Sequence, residues 1–360
     1  MRSLTLAPLS QWGLFGEGKQ PLVVAGPCAA ESREQTLRTA RELAALGVEV
    51  FRAGLWKPRT HPGAFEGAGA EGLPWLLEAK KELGLKVATE VACASHIRYC
   101  LRSGVDMLWI GARTSANPFM VQELADALQG ADIPVFVKNP VNPDLEQWLG
   151  ALERLNAAGV KKLGVILRGY STLDKQPYRN APGWELAVEL RSRCPELPFL
   201  ADPSHIAGDR AYVRELSVKA LRLGLDGLMI EAHCEPDKAL SDPAQQLRPS
   251  ELKSLLEELA ARGGGAEDSE YKAEIERLRA RLDLIDERLL EQLESRMDIS
   301  REIGRLKSRY GVALVQPRRW ESVLASMVAR GAAKGLSEGF VKAVFAAIHE
   351  ESVGRQGKEI

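Results

Sequence analysis

Residues 229–242 read MIEAHCEPDKALSD. The stretch begins as the apolar body of a strand, stops at a carboxylate, Glu231, and meets a second one, Asp242, eleven residues on. Seven other runs share this character: PLVVAG (21–26), VEVFRAG (48–54), KVATEV (86–91), MLWIGA (107–112), IPVFVKN (133–139), LGVILRG (163–169) and PFLADPS (198–204), before GLMIEAH (227–233) itself. Each is followed by a segment of helical spacing, such as REQTLRTARELAALG (33–47) or NPFMVQELADALQG (117–130). Aliphatic and β-branched residues fill the runs without polar alternation, as in strands covered on both faces. Eight such units in about 240 residues predict a (β/α)8 TIM barrel. A doubly wound open sheet is the competing arrangement; the closed barrel is preferred because strands and helices match in number.

The bulk composition narrows the class. The chain has 360 residues, 45% hydrophobic and 27% charged, which predicts two soluble domains. Lys plus Arg number 48 against 49 for Asp plus Glu, so no charge excess points to nucleic acid or an anionic membrane. No apolar run approaches the roughly 18 residues of a membrane span, and the N-terminus MRSLTLAPLSQWG lacks a signal-peptide pattern. The five cysteines (Cys28, Cys93, Cys100, Cys194, Cys234) are odd in number and form no CxxC pair, which predicts a reduced, cytoplasmic protein.

The periodicity changes after ARGGGAEDS. Residues 262–269 read as a flexible glycine-rich linker, dividing a barrel domain, 1–261, from a helical domain, 270–360. Beyond the linker, about forty residues run without Pro and with a single Gly, Gly304. Ile275, Leu278, Leu282, Ile285, Leu289, Ile299, Ile303 and Leu306 keep a 3–4 spacing. This predicts one helix on the order of 60 Å long. Two shorter helices follow, near PRRWESVLASMVARG and SEGFVKAVFAAIHEESVG. So long a stripe cannot be buried by two short partners, and a second copy of the chain is the expected complement.

Active-site groups of such barrels come from the carboxyl ends of strands. The first strand leads to Cys28, the seventh to Asp202 and His205, and the eighth to Glu231 with Asp242 beyond. Because closure makes strand eight the neighbour of strands one and seven, Cys28, His205, Glu231 and Asp242 are expected to converge on a divalent transition ion. Taken singly, each reads as a buried thiol, a bonded imidazole or an ion-paired acid; four at one rim favour the metal. Arg52, Lys57, Arg59, Arg113, Lys138 and Arg168 gather at the same rim. Six cations together call for anions, and arginine forks suit phosphate and carboxylate oxygens. A phosphorylated substrate beside a Lewis acid follows.

The ordered set GPCAAES, KPRT, GARTS, VFVKNP, ILRGY, DPSH and IEAH resembles the metal-dependent 3-deoxy-D-arabino-heptulosonate 7-phosphate (DAHP) synthases, over the whole barrel. The resemblance implies that Cys28, His205, Glu231 and Asp242 bind one divalent ion of the Mn, Fe, Co or Zn class. It also implies that Arg52, Lys57, Arg113, Lys138 and Arg168 hold phosphoenolpyruvate, and that Arg59 and Thr60 hold erythrose 4-phosphate. The implied reaction is aldol-like: carbon 3 of phosphoenolpyruvate attacks the metal-polarised aldehyde, water adds at carbon 2, and phosphate leaves. A metal-bound water, Lys57 and His205 are all open as proton carriers. The sister 3-deoxy-D-manno-octulosonate 8-phosphate synthases carry KANRS where this chain has KPRT. The chain departs from the family pattern in HPGAFEG after KPRT and in the Asn-Pro of VFVKNP.

In the long helix, Arg296 falls where the register predicts a core residue, and Lys307, eleven residues on, shares its face. Arg279 is rotated about 100° away, so a pocket using all three takes Arg279 from a partner chain. Buried cations again call for an anion; ordinary snorkelling is the competing account. The stretch LRARLDLIDERLLEQLESRMDISREIGRLK with EESVGRQ resembles the all-helical chorismate mutases over about 270–356. That resemblance implies a chorismate and prephenate pocket of Arg279, Arg296, Lys307, Arg319, Ser352 and Gln356. Lys307 and Gln356 would contact the breaking ether bond, and no cofactor is needed. Gln316 and Trp320, with Glu321 next, stand where that family carries Asp and Glu. The combined expectation is a bifunctional homodimer of the aromatic pathway, with prephenate feedback received by the helical unit. The alternatives make that unit a ligand sensor or a dimerisation module.

Overall fold

A computed structural model of the chain describes residues 4–16, 21–58, 63–173, 176–263 and 269–357. The chain divides into two compact units, Met1–Gly264 and Gly265–Ile360. The first is a closed parallel barrel with strands in chain order: β1 (Leu22–Gly26), β2 (Val50–Arg52), β3 (Lys86–Val91), β4 (Met107–Ile110), β5 (Val135–Lys138), β6 (Leu163–Leu167), β7 (Phe199–Ala201) and β8 (Gly227–Glu231). All eight expected runs supply a strand. Closure comes from β1 pairing with β8, with Gly26 opposite Glu231.

The helices of this unit are α1 (Arg33–Ala44), α2 (Leu73–Leu83), α3 (Ala94–Ser103), the short α4 (Ala112–Ser115), α5 (Pro118–Ala127), α6 (Leu145–Ala157), α7 (Trp184–Arg193), the short α8 (Pro203–Ala207), α9 (Val213–Arg222) and α10 (Pro249–Gly263). Local sequence explains several starts. Ser32, Asn117, Asp144 and Asp202 each accept a backbone N–H at the first turn of α1, α5, α6 and α8.

The two faces of the strands serve different cores. Ala25, Phe51, Val87, Leu108, Val135, Val165 and Ile230 pack outward against the helices. Val24, Val50, Ala88, Trp109, Phe136, Ile166, Leu200 and Met229 fill the barrel interior with Trp12 and Leu14. Both faces are apolar, which is why the runs lack alternation. Side chains repeat every two residues along a strand, so the inward series that begins at Val50, Ala88, Phe136, Ile166, Leu200 and Met229 continues to Arg52, Glu90, Lys138, Arg168, Asp202 and Glu231. The strands end on charge because the next inward step is the site.

The second unit is built from α11 (Ser269–Arg309), α12 (Pro317–Ala332) and α13 (Glu338–Gly357). At 41 residues, α11 is the long helix the spacing predicts. It packs closely on α13: a Cβ at Gly304 would lie 2.8 Å from the Cα of Gln356. Along α11, Leu278, Leu282, Ile285, Leu289, Leu290, Ile299, Ile303 and Leu306 remain exposed. Most of the expected linker, 264–268, lies outside the described residues; α10 itself extends through Gly263. Among the described residues, no helix is long and apolar enough to cross a membrane.

Candidate active site

A cavity of about 440 Å³ opens at the carboxyl end of the barrel, lined among others by Lys57, Glu90, Arg113, Lys138, Arg168, Arg179, His205 and Asp242. Arg52 lies beneath it, fully buried. Its Nη2 donates to the Cys28 carbonyl at 3.2 Å and stands 3.2 Å from Glu231 Oε1. Its Nε and Nη1 are buried without a hydrogen-bond partner. Lys57 Nζ donates to the same carbonyl at 3.0 Å. The backbone makes room for this at Gly54, where a Cβ would lie 2.6 Å from the Cys28 oxygen and 2.9 Å from Lys57 Cδ. Burial opposes the Lys57 ammonium, but Cys28, Glu90 and Glu231 hold its pKa above the ordinary value. Arg113 Nη1 donates to the Pro58 carbonyl at 3.0 Å, and Arg168 Nη1 to Asn180 Oδ1 at 3.0 Å.

Asp202 organises the seventh strand end. One oxygen caps α8 by accepting the His205 N–H at 3.0 Å; the other accepts Lys138 Nζ at 2.7 Å and lies 2.8 Å from His205 Nδ1. Burial works to raise this carboxyl, and His205 with Lys138 overcome it and hold it well below the usual range. Burial lowers His205, which Asp202 partly offsets.

The four expected metal ligands share one rim but form two pairs. The Cys28 thiol donates to Asp242 Oδ2 at 3.4 Å, and His205 Nε2 stands 3.7 Å from Glu231 Oε1. Among the described residues, no three His, Cys, Asp or Glu side chains close into a metal-ligand group. The acids meet protein donors instead. Glu231 Oε2 accepts Gln245 Nε2 at 2.7 Å, and Asp242 Oδ1 accepts Arg179 Nη1 at 2.9 Å. Two observations nevertheless fit a cation. The donors are a thiol, an imidazole and two carboxylates, a set suited to divalent transition ions, and Glu231 Oε1 is buried without a hydrogen bond. Burial, then Glu231, pushes the Cys28 thiol up to about 12, so a metal would have to displace its proton. Burial also works to raise Asp242 and Glu231, but Arg179 and His205 keep the first low, and His205 and Arg52 the second. Asp242 has φ 49°, a left-handed backbone set by the turn into Pro243. Arg59 and Thr60 lie outside the described residues.

In the helical unit, Lys307 Nζ donates to Gln356 Oε1 at 3.1 Å and to the Leu314 carbonyl at 2.6 Å. Arg296 donates to Ser352, which is buried like Gln356. Arg279 and Arg319 stand exposed, on α11 and α12. Four of the six expected residues are therefore brought together as two bonded pairs. Trp320 stacks on His349 with centroids 4.1 Å apart and planes 11° off parallel. Sequence reading passed over His349, and in the barrel it passed over Glu90, Arg179, Asn180, Gln245 and Trp109. The parity of Ala88 and Glu90 was a usable signal; nothing in the sequence around Arg179 marked it.

A parallel barrel whose carboxyl rim sets cations beside a thiol, an imidazole and acids defines an enzyme of anionic substrates, joined here to a helical unit with a second cationic cluster. The chain belongs to the DAHP synthetase I family, whose pattern matches residues 7–263. Residues 278–357 match chorismate mutase type II. The chain is 36% identical over 237 residues to phospho-2-dehydro-3-deoxyheptonate aldolase of Thermotoga maritima, covering 66% of this chain and 68% of that protein. It is 30% identical over 275 residues to 2-dehydro-3-deoxyphosphooctonate aldolase of Magnetococcus marinus, covering 69% and 89%. A crystal structure of the Thermotoga maritima DAHP synthase superimposes with TM-score 0.62 at 34% identity, covering 68% of this chain and 69% of that one.

Proposed function

We propose that the barrel condenses phosphoenolpyruvate with erythrose 4-phosphate to DAHP and phosphate, and that the helical unit rearranges chorismate to prephenate. Arg52 carries the first reading: a buried guanidinium keeps two nitrogens unpartnered beneath a cavity lined by Lys57, Arg113, Lys138 and Arg168. Such donors await anionic oxygens. In this reading Arg52, Lys57, Arg113, Lys138 and Arg168 orient phosphoenolpyruvate and stabilise charge as it moves to the departing phosphate. Arg59 and Thr60 take the erythrose 4-phosphate end. Cys28, His205, Glu231 and Asp242 would hold a divalent ion, which when bound supplies Lewis acidity toward the aldehyde. Lys57, kept protonated by its neighbours, holds a proton beside the reacting groups.

In the helical unit, Arg296 and Arg319, with Arg279 from a second copy, grip the two carboxylates. Lys307 and Gln356 meet the ether oxygen as its bond breaks. The exposed apolar stripe of α11 supports a homodimer. All five cysteines are free, which supports a reducing cytoplasmic setting. Prephenate bound to the helical unit is the proposed inhibitor of the barrel, and requires different affinity in two states of the protein.

The deciding experiment measures phosphate release from phosphoenolpyruvate with erythrose 4-phosphate or arabinose 5-phosphate, with and without chelator, beside chorismate turnover. Release only with erythrose 4-phosphate and only with metal is expected. Preference for the five-carbon sugar would move the barrel to the octulosonate reaction, and metal-free turnover would sink the ligand assignment.

A further inference from the structure

Trp109 is fully buried in the interior core of the barrel, yet three charged groups of the site are arranged on it. Arg52 Cζ lies 4.8 Å from its ring centroid and Lys138 Nζ lies 6.0 Å away. Its indole N–H donates to Glu90 at 3.1 Å. Glu90 is confined from the other side by Gly111, where a Cβ would come within 2.2 Å of its Oε1.

A guanidinium taken out of water needs compensation. A carboxylate fork would provide it, but would also occupy the N–H groups in pairs. An aromatic face attracts the charge from above the guanidinium plane and accepts none of its in-plane donors. Arg52 Cζ lies over the indole ring, one nitrogen is held by the Cys28 carbonyl, and Nε and Nη1 remain buried and unpartnered. Glu231, at 3.2 Å from Nη2, balances charge on that same side and leaves the others free.

We propose that Trp109 is a positioning residue for phosphoenolpyruvate, its indole face fixing Arg52 in place while leaving two guanidinium nitrogens available to donate to the anionic oxygens of that substrate. Lys138, farther from the ring and already bonded to Asp202 at 2.7 Å, depends on it less. This inference rests on the reading of the barrel as a phosphoenolpyruvate-condensing site.

The test uses the full chain and determines kcat and separate KM values for phosphoenolpyruvate and erythrose 4-phosphate, with chorismate turnover as an internal control. Trp109→Leu removes the face and is expected to raise KM for phosphoenolpyruvate about ten-fold, the scale of a desolvated cation–π contact, with KM for erythrose 4-phosphate unchanged. Trp109→Phe keeps a face, loses the bond to Glu90, and should recover most of that affinity. Stepwise fluorination of a tryptophan placed at 109 weakens the face without changing its shape, and KM for phosphoenolpyruvate should rise with each fluorine. A flat fluorination series overturns the proposal, even where Trp109→Leu fails to fold. So does a Trp109→Leu protein whose two KM values move together. An unmodified protein that releases no phosphate refutes instead the reading beneath it.

Discussion

Arg52, at the top of the barrel, is 0% exposed, whereas Leu290, midway along α11, is 68% exposed. The barrel hides its charges and the helical unit displays its apolar residues. In the barrel, closure of eight strands gives every inward-facing acid or cation neighbours from the same chain, so the site is assembled by the fold itself. In the helical unit, α11 is covered on one side by α13, which supplies Ser352 and Gln356 to Arg296 and Lys307. Leu278, Leu282, Ile285 and Leu289 of the same helix stay exposed, and so does Arg279. Among the described residues, the barrel draws its rim cluster from many strands of one chain; the helical unit gathers four of its six expected residues and leaves Arg279 and Arg319 outside that cluster.

The largest expected effect follows from breaking the covered site. Arg52→Ala strands Glu231 without its buried cation, which costs roughly 3–5 kcal/mol, and removes the two unpartnered donors. Condensation should fall at least ~10³-fold, with chorismate turnover retained. Phosphate release and a urea titration following each unit would check both parts. Loss of both activities together would mean that the two units do not behave separately.

Lys307→Ala is the converse, and its effect is next in size. Losing one donor aimed at developing negative charge typically costs about 10²–10³ in rate, so chorismate disappearance should slow by that factor while phosphate release stays the same. A variant that still turns over chorismate normally would favour the sensor reading of the helical unit.

A smaller effect addresses the exposed stripe. Leu289→Glu places a charge on the apolar seam and removes a side chain whose burial is worth about 2–3 kcal/mol. The dissociation constant for self-association should rise roughly 100-fold, seen by sedimentation over a dilution series. Chorismate turnover should then become dependent on protein concentration, since Arg279 would come from the second copy. A sedimentation profile unchanged by the substitution would sink the homodimer.

The same contrast explains what could be read from sequence. The eight strands were legible because each is apolar on both faces, and α11 because its stripe keeps one spacing from Ile275 to Leu306. Arg52, Lys138, Arg168 and Glu231 stood out as charges closing apolar runs. Glu90 did not, because KVATEV places Val91 after it and so conceals an inward acid inside a strand. Trp109 read as core, which it is; its second role depends on Arg52 and Lys138, distant in sequence, lying against its ring. Arg179 and Gln245 come from loops, where no periodicity ties a side chain to a direction. Their bonds to Asp242 and Glu231 were therefore equally hidden.

The mildest way to probe the contrast is acid. Asp202 and Glu231 are fully buried and their pKa values are held below the ordinary range, against the opposing pull of burial, by His205 with Lys138 and by His205 with Arg52. A carboxyl depressed in the folded state binds protons more readily once unfolded, so its contribution to stability is complete above the unfolded value, about 4, and fades as pH falls below it. Among the described residues of the helical unit, the comparable shift belongs to Glu338, lowered by Lys342 on an exposed helix surface, where solvent screens the pair. Between pH 7 and 5 the barrel should already lose some stability, because buried His205 resists the proton that an unfolded imidazole takes up below about 6.5; from about pH 4 downward the carboxylates should make the loss steeper. Calorimetry, with Asp202→Asn to flatten the acid slope of the barrel, reads this directly. Parallel acid slopes in both units would show that the buried carboxylates of the barrel are not what its folded state depends on.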